Sequence, residues 1–201
     1  QATESLLRRQ YQTVYAKTLG SCAAPTAGLH FTRRLLKKLA AAGVQLEFIT
    51  LHVGLGTFQK LRPANLLSGK LHSEAYFLDQ STASRLLQAK RLGKRIIAVG
   101  TTVARTLETA FASGNDPPKS CGDTDLFIRP PYRFVFVDSL ITNFHLPQSS
   151  LLMLVSPFVS YPNTPYRFKG FPSSSVGLAY SKAVADEYRF FSFGDAMWIH
   201  S

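Results

Sequence analysis

Short apolar segments that end in polar loops and then continue into helices recur along this chain, and this pattern constrains its fold more than any other feature. Residues 96–99 are rich in β-branched side chains, and Gly100 and a predicted helix ending at Phe111 follow them. Residues 140–155 repeat the pattern, because an apolar strand breaks at Asn143 before a helix that is predicted from about residue 149. Strands that alternate with helices predict an α/β protein with a mostly parallel sheet or a partial (β/α) barrel.

Helix caps and turn residues predict the remaining elements. Thr32 is a predicted N-cap and Gly43 a predicted stop for a helix with leucines on one face, and Gly93 ends a second helix over residues 81–92. The other predictions are a strand at 44–53, a loop-rich segment at 54–80, a hairpin of 125–128 with 134–137, a helix at 176–188 and a strand at 189–193.

The excess positive charge lies entirely in the first half of the sequence. The net charge is +11; residues 1–100 carry fifteen Lys or Arg against four acids, and residues 101–201 carry eight of each. A basic half suits a polyanion such as RNA, because phosphate contacts supply much of the affinity that does not depend on sequence. The same charges are also typical of a solvated surface, which explains Lys37, Lys38, Lys90 and Arg91 on helix exteriors equally well.

The sequence argues against several classes of protein and site. It has no run of about eighteen apolar residues and no signal peptide, and its only cysteines are Cys22 and Cys121, so we expect a cytoplasmic protein without a membrane segment. Gly54 and Gly56 lack the rest of a dinucleotide-binding motif, and neither a phosphate-binding loop nor the nucleophile motif of a serine hydrolase occurs. The histidines are scattered without a His-x-x-x-His pair, so no metal site is expected.

Four polar segments, at 24–32, 50–58, 99–108 and 142–147, each end an apolar stretch. The carboxyl ends of parallel strands lie at one edge of a sheet, so we expect these segments to converge on one pocket. Turn chemistry or helix capping explains each segment equally well when it is taken alone. Glu74, close to His72, is either a general acid or base or one side of a salt bridge.

Taken together, seven collinear blocks resemble the S-adenosylmethionine:tRNA ribosyltransferase-isomerases of queuosine biosynthesis, and they run from one end of the chain to the other. The blocks are Tyr11-Gln-Thr-Val-Tyr-Ala-Lys17, Ala23-Ala-Pro-Thr-Ala-Gly-Leu-His-Phe-Thr32, Thr50-Leu-His-Val-Gly-Leu-Gly-Thr-Phe58, Leu71-His-Ser-Glu74, Ile97-Ala-Val-Gly-Thr-Thr102 with Arg105-Thr-Leu-Glu108, Leu140-Ile-Thr-Asn-Phe-His-Leu-Pro147, and Tyr188-Arg-Phe-Phe-Ser-Phe-Gly-Asp-Ala-Met197.

That resemblance implies a reaction in which S-adenosylmethionine (AdoMet) donates its ribosyl group rather than its methyl group. The acceptor would be the aminomethyl group of a 7-deazaguanine at the wobble position of tRNA, and isomerisation would give epoxyqueuosine-tRNA with release of adenine and methionine. AdoMet would be a substrate, so no separate cofactor is expected, and the anticodon arm of tRNA would be the partner of a monomeric enzyme. The alternative is a truncated, inactive remnant that still binds RNA.

The implied chemistry needs a base, an acid for adenine, and donors around the ribose and the methionine carboxylate. By residue type and loop position, the proton-transfer candidates are His30, His52, Glu74 and His145. The substrate-binding candidates are Thr26, Gly28, Gly54, Gly56, Thr57, Thr101, Thr102, Arg105, Asn143 and Asp195. Tyr132 and Phe134 are candidates either for stacking on an unpaired base or for packing inside the predicted hairpin.

The resemblance also predicts the domain organisation. Residues 1–201 are expected to form one catalytic α/β domain that corresponds to the C-terminal portion of the family's catalytic domain. Family members carry an N-terminal portion of that domain and an inserted small β-barrel domain before the Tyr11 block, and we expect both to be absent here.

Overall fold

The computed structural model describes residues 10–21, 23–54, 61–112 and 120–200, which form a mixed α/β structure with two three-stranded sheets. The helices are α1 (Arg33–Ala41), α2 (Pro63–Ser68), α3 (Gln80–Arg91), α4 (Thr101–Phe111), α5 (Ser150–Val155) and α6 (Ser175–Ala185), with 3-10 turns at Thr26–His30 and Ser156–Val159. The strands are β1 (Thr50–His52), β2 (Lys70–Phe77), β3 (Ile97–Val99), β4 (Cys121–Leu126), β5 (Ser139–Asn143) and β6 (Ala196–His200). Helix α4 contacts strands of both sheets and therefore connects them.

The first sheet has the order β1-β2-β4, and both of its pairings are antiparallel. His52 lies opposite Ala75, and Glu74 lies opposite Thr124. Successive side chains of a strand point to opposite faces of the sheet. Glu74 and Tyr76 accordingly are buried, whereas His52 and Ala75 lie on the exposed face.

The second sheet has the order β3-β5-β6, in which β3 is parallel to β5 and β6 is antiparallel to β5. Only one of the four described pairings is parallel, so the predicted mostly parallel sheet or partial barrel is wrong. The reason is connectivity: α3 links β2 of one sheet to β3 of the other, and so it does not return the chain to a parallel neighbour. The one parallel pair still places the ends of β3 and β5 at the same edge.

Helix α4 is the centre of the core. Eight of its residues are buried: Thr101, Ala104, Arg105, Thr106, Leu107, Glu108, Ala110 and Phe111. The Phe111 ring stacks on Phe136 with centroids 3.7 Å apart, and Phe134 stacks on Phe158 at the same distance. These contacts fix the segment that leads into β5 against α4.

The helices that were predicted from their caps are confirmed. The hydroxyl of Thr32 accepts the Leu35 N–H at 3.1 Å at the start of α1, and α3 ends just before Gly93. Helix α4 spans Thr101–Phe111 as predicted. Capping residues therefore located helix ends well in this chain.

Four other predicted segments differ from the structure, and one of them is the strand at 44–53, of which only Thr50–His52 forms β1. The described part of the predicted loop at 54–80 contains α2 and β2. Residues 134–137 form no strand of a hairpin, because the backbone N–H groups at 135–137 donate to the Glu108 carboxylate. The last strand lies at Ala196–His200 rather than at 189–193, because the Asp195 carboxylate closes the preceding segment into a turn.

Candidate active site

Asn143, at the end of β5, joins three segments that are far apart in the sequence. Its Oδ1 accepts a hydrogen bond from the Thr26 hydroxyl at 3.0 Å, and its Nδ2 donates to the Gly194 carbonyl at 3.3 Å. The same Nδ2 lies 3.4 Å from Nε2 of His30. Asn143 is buried, whereas His30 is exposed. We call Thr26, His30, Asn143, Gly194 and Asp195 the Asn143 cluster.

The Asn143 amide fixes the position of the proton on His30. The Gly194 carbonyl can only accept a hydrogen bond, so the amide atom nearest to it is the NH2 group. The second hydrogen of that group is directed at Nε2 of His30, which must then accept, and a neutral His30 carries its proton on Nδ1. An Nδ1–H donor on an exposed ring is thus left for a bound molecule.

Asp195 holds the turn that carries Gly194. Its carboxylate accepts the Arg189 backbone N–H at 2.8 Å and the Arg189 guanidinium at 3.0 Å, and these bonds lower the pKa of Asp195. A Cβ at Gly194 would lie 2.5 Å from the Arg189 carbonyl, so the turn requires glycine. Asp195 is therefore a positioning residue of the cluster.

Gly28 allows close packing within the 3-10 turn at Thr26–His30. A Cβ there would lie 2.0 Å from the Tyr15 hydroxyl and 2.9 Å from the Thr13 side chain. Burial raises the pKa of Tyr15. The close approach explains why the block at residues 11–17 belongs with the block at 23–32: Tyr15 lies directly over the turn that presents Thr26 and His30.

His145 is buried two residues beyond Asn143. Its Nε2 lies 3.0 Å from the Thr142 hydroxyl, and its backbone N–H donates to the Tyr180 hydroxyl at 2.9 Å. Burial lowers the pKa of His145 from 6.5 to about 4 and raises the pKa of Tyr180 to about 12. At neutral pH the imidazole is uncharged, so it can accept a proton but has no imidazolium proton to give.

The low pKa of His145 predicts that acid destabilises the protein over a defined range. In the unfolded chain the imidazole binds its proton near pH 6.5, and in the folded chain only near pH 4. Unfolding therefore takes up a proton between these values, and about 3 kcal/mol of stability that is present above pH 6.5 is lost as the pH falls through 4. Urea unfolding of the wild type and of His145→Gln, compared at about pH 7.5 and about pH 4.5, measures this difference.

The variant His145→Gln should lose most of that dependence on pH. His52→Gln is the matched control, because His52 is exposed. Equal pH dependence in all three proteins would contradict the assignment to His145.

Thr101 and Thr102 begin α4 at the sheet edge where Asn143 lies. Val99 pairs with Ile141 in the parallel ladder, and the Gly100 N–H donates to the Ile141 carbonyl at 2.8 Å. Thr101 is buried and Thr102 is half-buried. Of the four segments that were predicted to converge on one pocket, the two that follow β3 and β5 therefore lie at the same edge of the sheet.

Glu74 and Arg105 lie elsewhere, in a buried ion pair between the first sheet and α4. Their carboxylate and guanidinium are 2.9 Å apart, and both side chains are at most 4% exposed. Arg105 also donates to the carbonyls of Leu126 at 3.0 Å and Thr124 at 3.2 Å. Burial lowers the pKa of Arg105, and the Glu74 carboxylate opposes that shift. The guanidinium is occupied by protein groups, which favours the salt-bridge interpretation of Glu74.

His52 and Gly54 lie outside the Asn143 cluster, and the end of β1 next to them contacts residues 20–21. His52 faces away from Glu74, and a Cβ at Gly20 would lie 3.0 Å from its imidazole. The Ser21 hydroxyl accepts the N–H of Val53 at 3.1 Å, which ties this segment to the end of β1. Gly54 is exposed, and Gly56 and Thr57 lie outside the described residues.

Sequence reasoning missed two groups that support the site. Glu108 is fully buried, and its carboxylate accepts N–H groups of Val135, Phe136 and Val137 at 2.8 to 3.0 Å and the Tyr132 hydroxyl at 3.0 Å. Glu108 lies on the same face of α4 as the apolar residues, and an acid on the apolar face of a helix was a usable signal for a buried structural role. No local signal pointed to Tyr180, which reaches His145 from α6.

Tyr132 and Phe134 serve the core rather than an exposed stacking surface. The Tyr132 ring lies edge-on to Phe134, 5.1 Å away, and Phe134 stacks on Phe158. Burial and the Glu108 carboxylate raise the pKa of Tyr132. The packing interpretation is therefore confirmed, although the segment is not a hairpin.

The described ranges contain neither a metal-binding group of side chains nor a helix that could span a membrane. No three His, Cys, Asp or Glu side chains among the described residues are grouped so that they would hold a metal ion. No helix in those ranges combines the length and apolar character that a membrane span requires.

Comparison with known proteins gives a consistent relationship. Residues 3–199 match the model of a family described as queuosine biosynthesis protein. The chain is 52% identical over 192 residues to the S-adenosylmethionine:tRNA ribosyltransferase-isomerase of Staphylococcus saprophyticus, a match that covers 96% of this chain and 53% of that protein. The crystal structure of S-adenosylmethionine tRNA ribosyltransferase from Thermotoga maritima is similar with a TM-score of 0.65 and 42% identity, over 86% of this chain and 51% of that one.

The chain thus spans about half the length of these relatives. The family match extends over nearly the whole chain and includes every member of the Asn143 cluster. On these matches, the chain belongs to the queuosine biosynthesis protein family.

Proposed function

We propose that this chain carries catalytic residues of an enzyme that transfers the ribosyl group of AdoMet to tRNA and isomerises it. The observation that carries the proposal is the Asn143 cluster, in which residues 26–30, 143 and 194 meet through one amide. A buried amide with three polar partners is a rigid support for a neighbouring reactive group. We take the activity in this proposal from the Staphylococcus relative, which is named as an S-adenosylmethionine:tRNA ribosyltransferase-isomerase.

The proposed acceptor is 7-aminomethyl-7-deazaguanine at the wobble position of tRNA, and the proposed product is epoxyqueuosine-tRNA. A base removes the C5′ proton that the sulfonium makes acidic, and adenine leaves as the ribose ring opens. The tRNA amine then attacks, and loss of methionine closes the epoxide. We place the reaction in the cytoplasm, with the anticodon arm as the site of contact and the enzyme as a monomer.

The geometry suggests different roles for the two histidines near β5. His145 has a neutral imidazole beside the Thr142 hydroxyl, and it is our candidate for a proton acceptor even though burial weakens it as a base. His30 directs Nε2 at Asn143 and presents Nδ1–H outward, so it is our candidate donor to a leaving or anionic group. The hydroxyls of Thr101 and Thr102 lie at the same sheet edge and suit ribose or carboxylate contacts.

The test is adenine release, measured by chromatography with AdoMet and tRNA that carries the 7-aminomethyl precursor. Adenine should form only when both substrates are present. We expect His145→Ala and His30→Gln each to slow release by about 100-fold or more, the size of a lost proton transfer. His72→Gln is the control, because His72 is exposed on β2 and outside the cluster.

Near-normal release by His145→Ala would remove His145 from the mechanism. If the chain releases no adenine while the Staphylococcus relative does so on the same tRNA, the proposal fails for this chain. Salt-sensitive tRNA binding without adenine release would favour the alternative, an inactive RNA-binding remnant.

A further inference from the structure

Helix α1 carries a continuous strip of positive charge. Arg33, Arg34, Lys37 and Lys38 recur at helical spacing, and at 100° per residue they span about 140° of the helix circumference. All four are exposed. We call these four side chains the α1 basic face. The leucines of the helix lie on the opposite side, where Leu36 and Leu39 are half-buried.

No described acid neutralises the α1 basic face. Other cations of the described ranges do have such partners: Arg85 is 2.7 Å from Glu47, and Lys90 is 2.6 Å from Asp138. The four α1 side chains instead line an open depression of about 480 Å³ together with Ala41. Like charges on neighbouring turns repel one another, so a helix of this kind gains stability when an anion binds.

The α1 basic face lies close to the Asn143 cluster. Arg33 follows His30 by three residues, and Thr32 caps α1 between them. The three residues from His30 to Arg33 span at most about 3.8 Å each, and each further residue along the helix adds about 1.5 Å. Every Cα of the α1 basic face therefore lies within about 19 Å of the His30 Cα. A polyanion on α1 therefore reaches the cluster.

We propose that the α1 basic face binds phosphate groups of the tRNA and so holds the reacting nucleotide at the Asn143 cluster. The inference rests on the proposed function and adds the surface by which the RNA is held. Cations without an internal partner suit this role, because phosphate binding releases counterions at no cost in broken ion pairs. A membrane surface fits α1 less well, since an interfacial helix buries its apolar face in lipid, whereas Leu36 and Leu39 on the apolar side of α1 are already half-buried in the protein itself.

The experiment compares two charge-matched double variants of the chain. Arg34→Gln/Lys38→Gln removes two charges from the α1 basic face. Lys94→Gln/Arg95→Gln removes two exposed charges just before β3, whose other end lies at the edge with Asn143. Fluorescence anisotropy with a labelled transcript of the substrate tRNA, over a range of salt concentrations, gives the dissociation constant and its salt slope.

We expect the α1 variant to bind tRNA about tenfold or more weakly and its salt slope to fall by about 1.5, the effect of two lost phosphate contacts. The control variant should change the dissociation constant by less than about threefold. Circular dichroism should show both variants folded, because all four substituted side chains are exposed.

Equal weakening in both variants, or no tRNA binding by the wild type, would overturn the inference. The inference would also be overturned if the α1 variant lost binding to phosphatidylserine vesicles while its affinity for tRNA stayed unchanged. Because binding is measured without turnover, its outcome is separate from that of the proposed function. A chain that binds tRNA through α1 but releases no adenine contradicts the activity alone, and one that releases adenine with unchanged tRNA affinity in the α1 variant contradicts the surface alone.

Discussion

Replacing Glu108 by alanine is expected to lower the free energy of unfolding by about 4 kcal/mol or more. The substitution leaves the buried backbone N–H groups of Phe136 and Val137 and the partly buried N–H of Val135 without an acceptor, and it removes the acceptor of the Tyr132 hydroxyl. Each buried donor without a partner costs about 1 to 3 kcal/mol. A domain of this size has about 5 to 15 kcal/mol in total, so Glu108→Ala should be close to unfolding.

Glu108→Gln keeps the comparison measurable if the alanine variant does not fold. Its amide oxygen can still accept the Phe136 and Val137 N–H groups, whereas its NH2 group faces the Val135 N–H, so we expect an intermediate loss. Urea unfolding followed by circular dichroism measures the series. Wild-type stability in Glu108→Ala would show that the segment at 132–137 is held by its aromatic contacts alone.

The second large effect is expected at the buried ion pair of Glu74 and Arg105. Glu74→Ala leaves the Arg105 guanidinium buried without its carboxylate, which costs about 3 to 5 kcal/mol. Urea unfolding again gives the value. The contrast is Glu47→Ala, which breaks the pair between the half-buried Glu47 and the exposed Arg85 and should change stability less, because the guanidinium that remains is solvated.

A double variant distinguishes the cost of an unpaired buried charge from the cost of the lost side-chain packing. Glu74→Leu/Arg105→Met removes both charges, so it should be less destabilised than Glu74→Leu alone. Adenine release tests the alternative that Glu74 is a general acid or base. If the Glu74→Gln protein is folded and releases adenine normally, Glu74 has no role in proton transfer. Lost release in such a folded protein would restore Glu74 as a general acid or base.

Much of the local structure could be predicted from the sequence, because short-range chemistry determines it. Thr32 and Gly93 marked real helix ends, and the β-branched residues before Gly100 formed β3. Sheet topology could not be predicted in the same way. A helix between two strands joins parallel neighbours only if both strands enter one sheet, and nothing near α3 in the sequence distinguishes that case from a change of sheet.

The candidate site was predictable to the extent that it follows strand ends. Asn143, Thr26 and His30 were proposed from loops that follow or precede apolar segments, and the structure brings them together. Arg105 and Glu74 were proposed from residue type and loop position in the same way. Whether a charged side chain meets a ligand or another buried charge depends on the opposite element, here β2 against α4, and that is a long-range property.

The fixed amide of Asn143 has a consequence for the order in which the protein is made. Asn143 is separated from Thr26 by 117 residues and from Gly194 by 51. A ribosome must therefore have synthesised the chain past Asp195 before the first polar segment can settle against its partners, and long-range closure of this kind is slow. Until then His30 has no fixed tautomer. The Asn143 cluster is thus still unformed when most of the residues between Thr26 and Gly194 have been synthesised, and folding is the last step of its assembly.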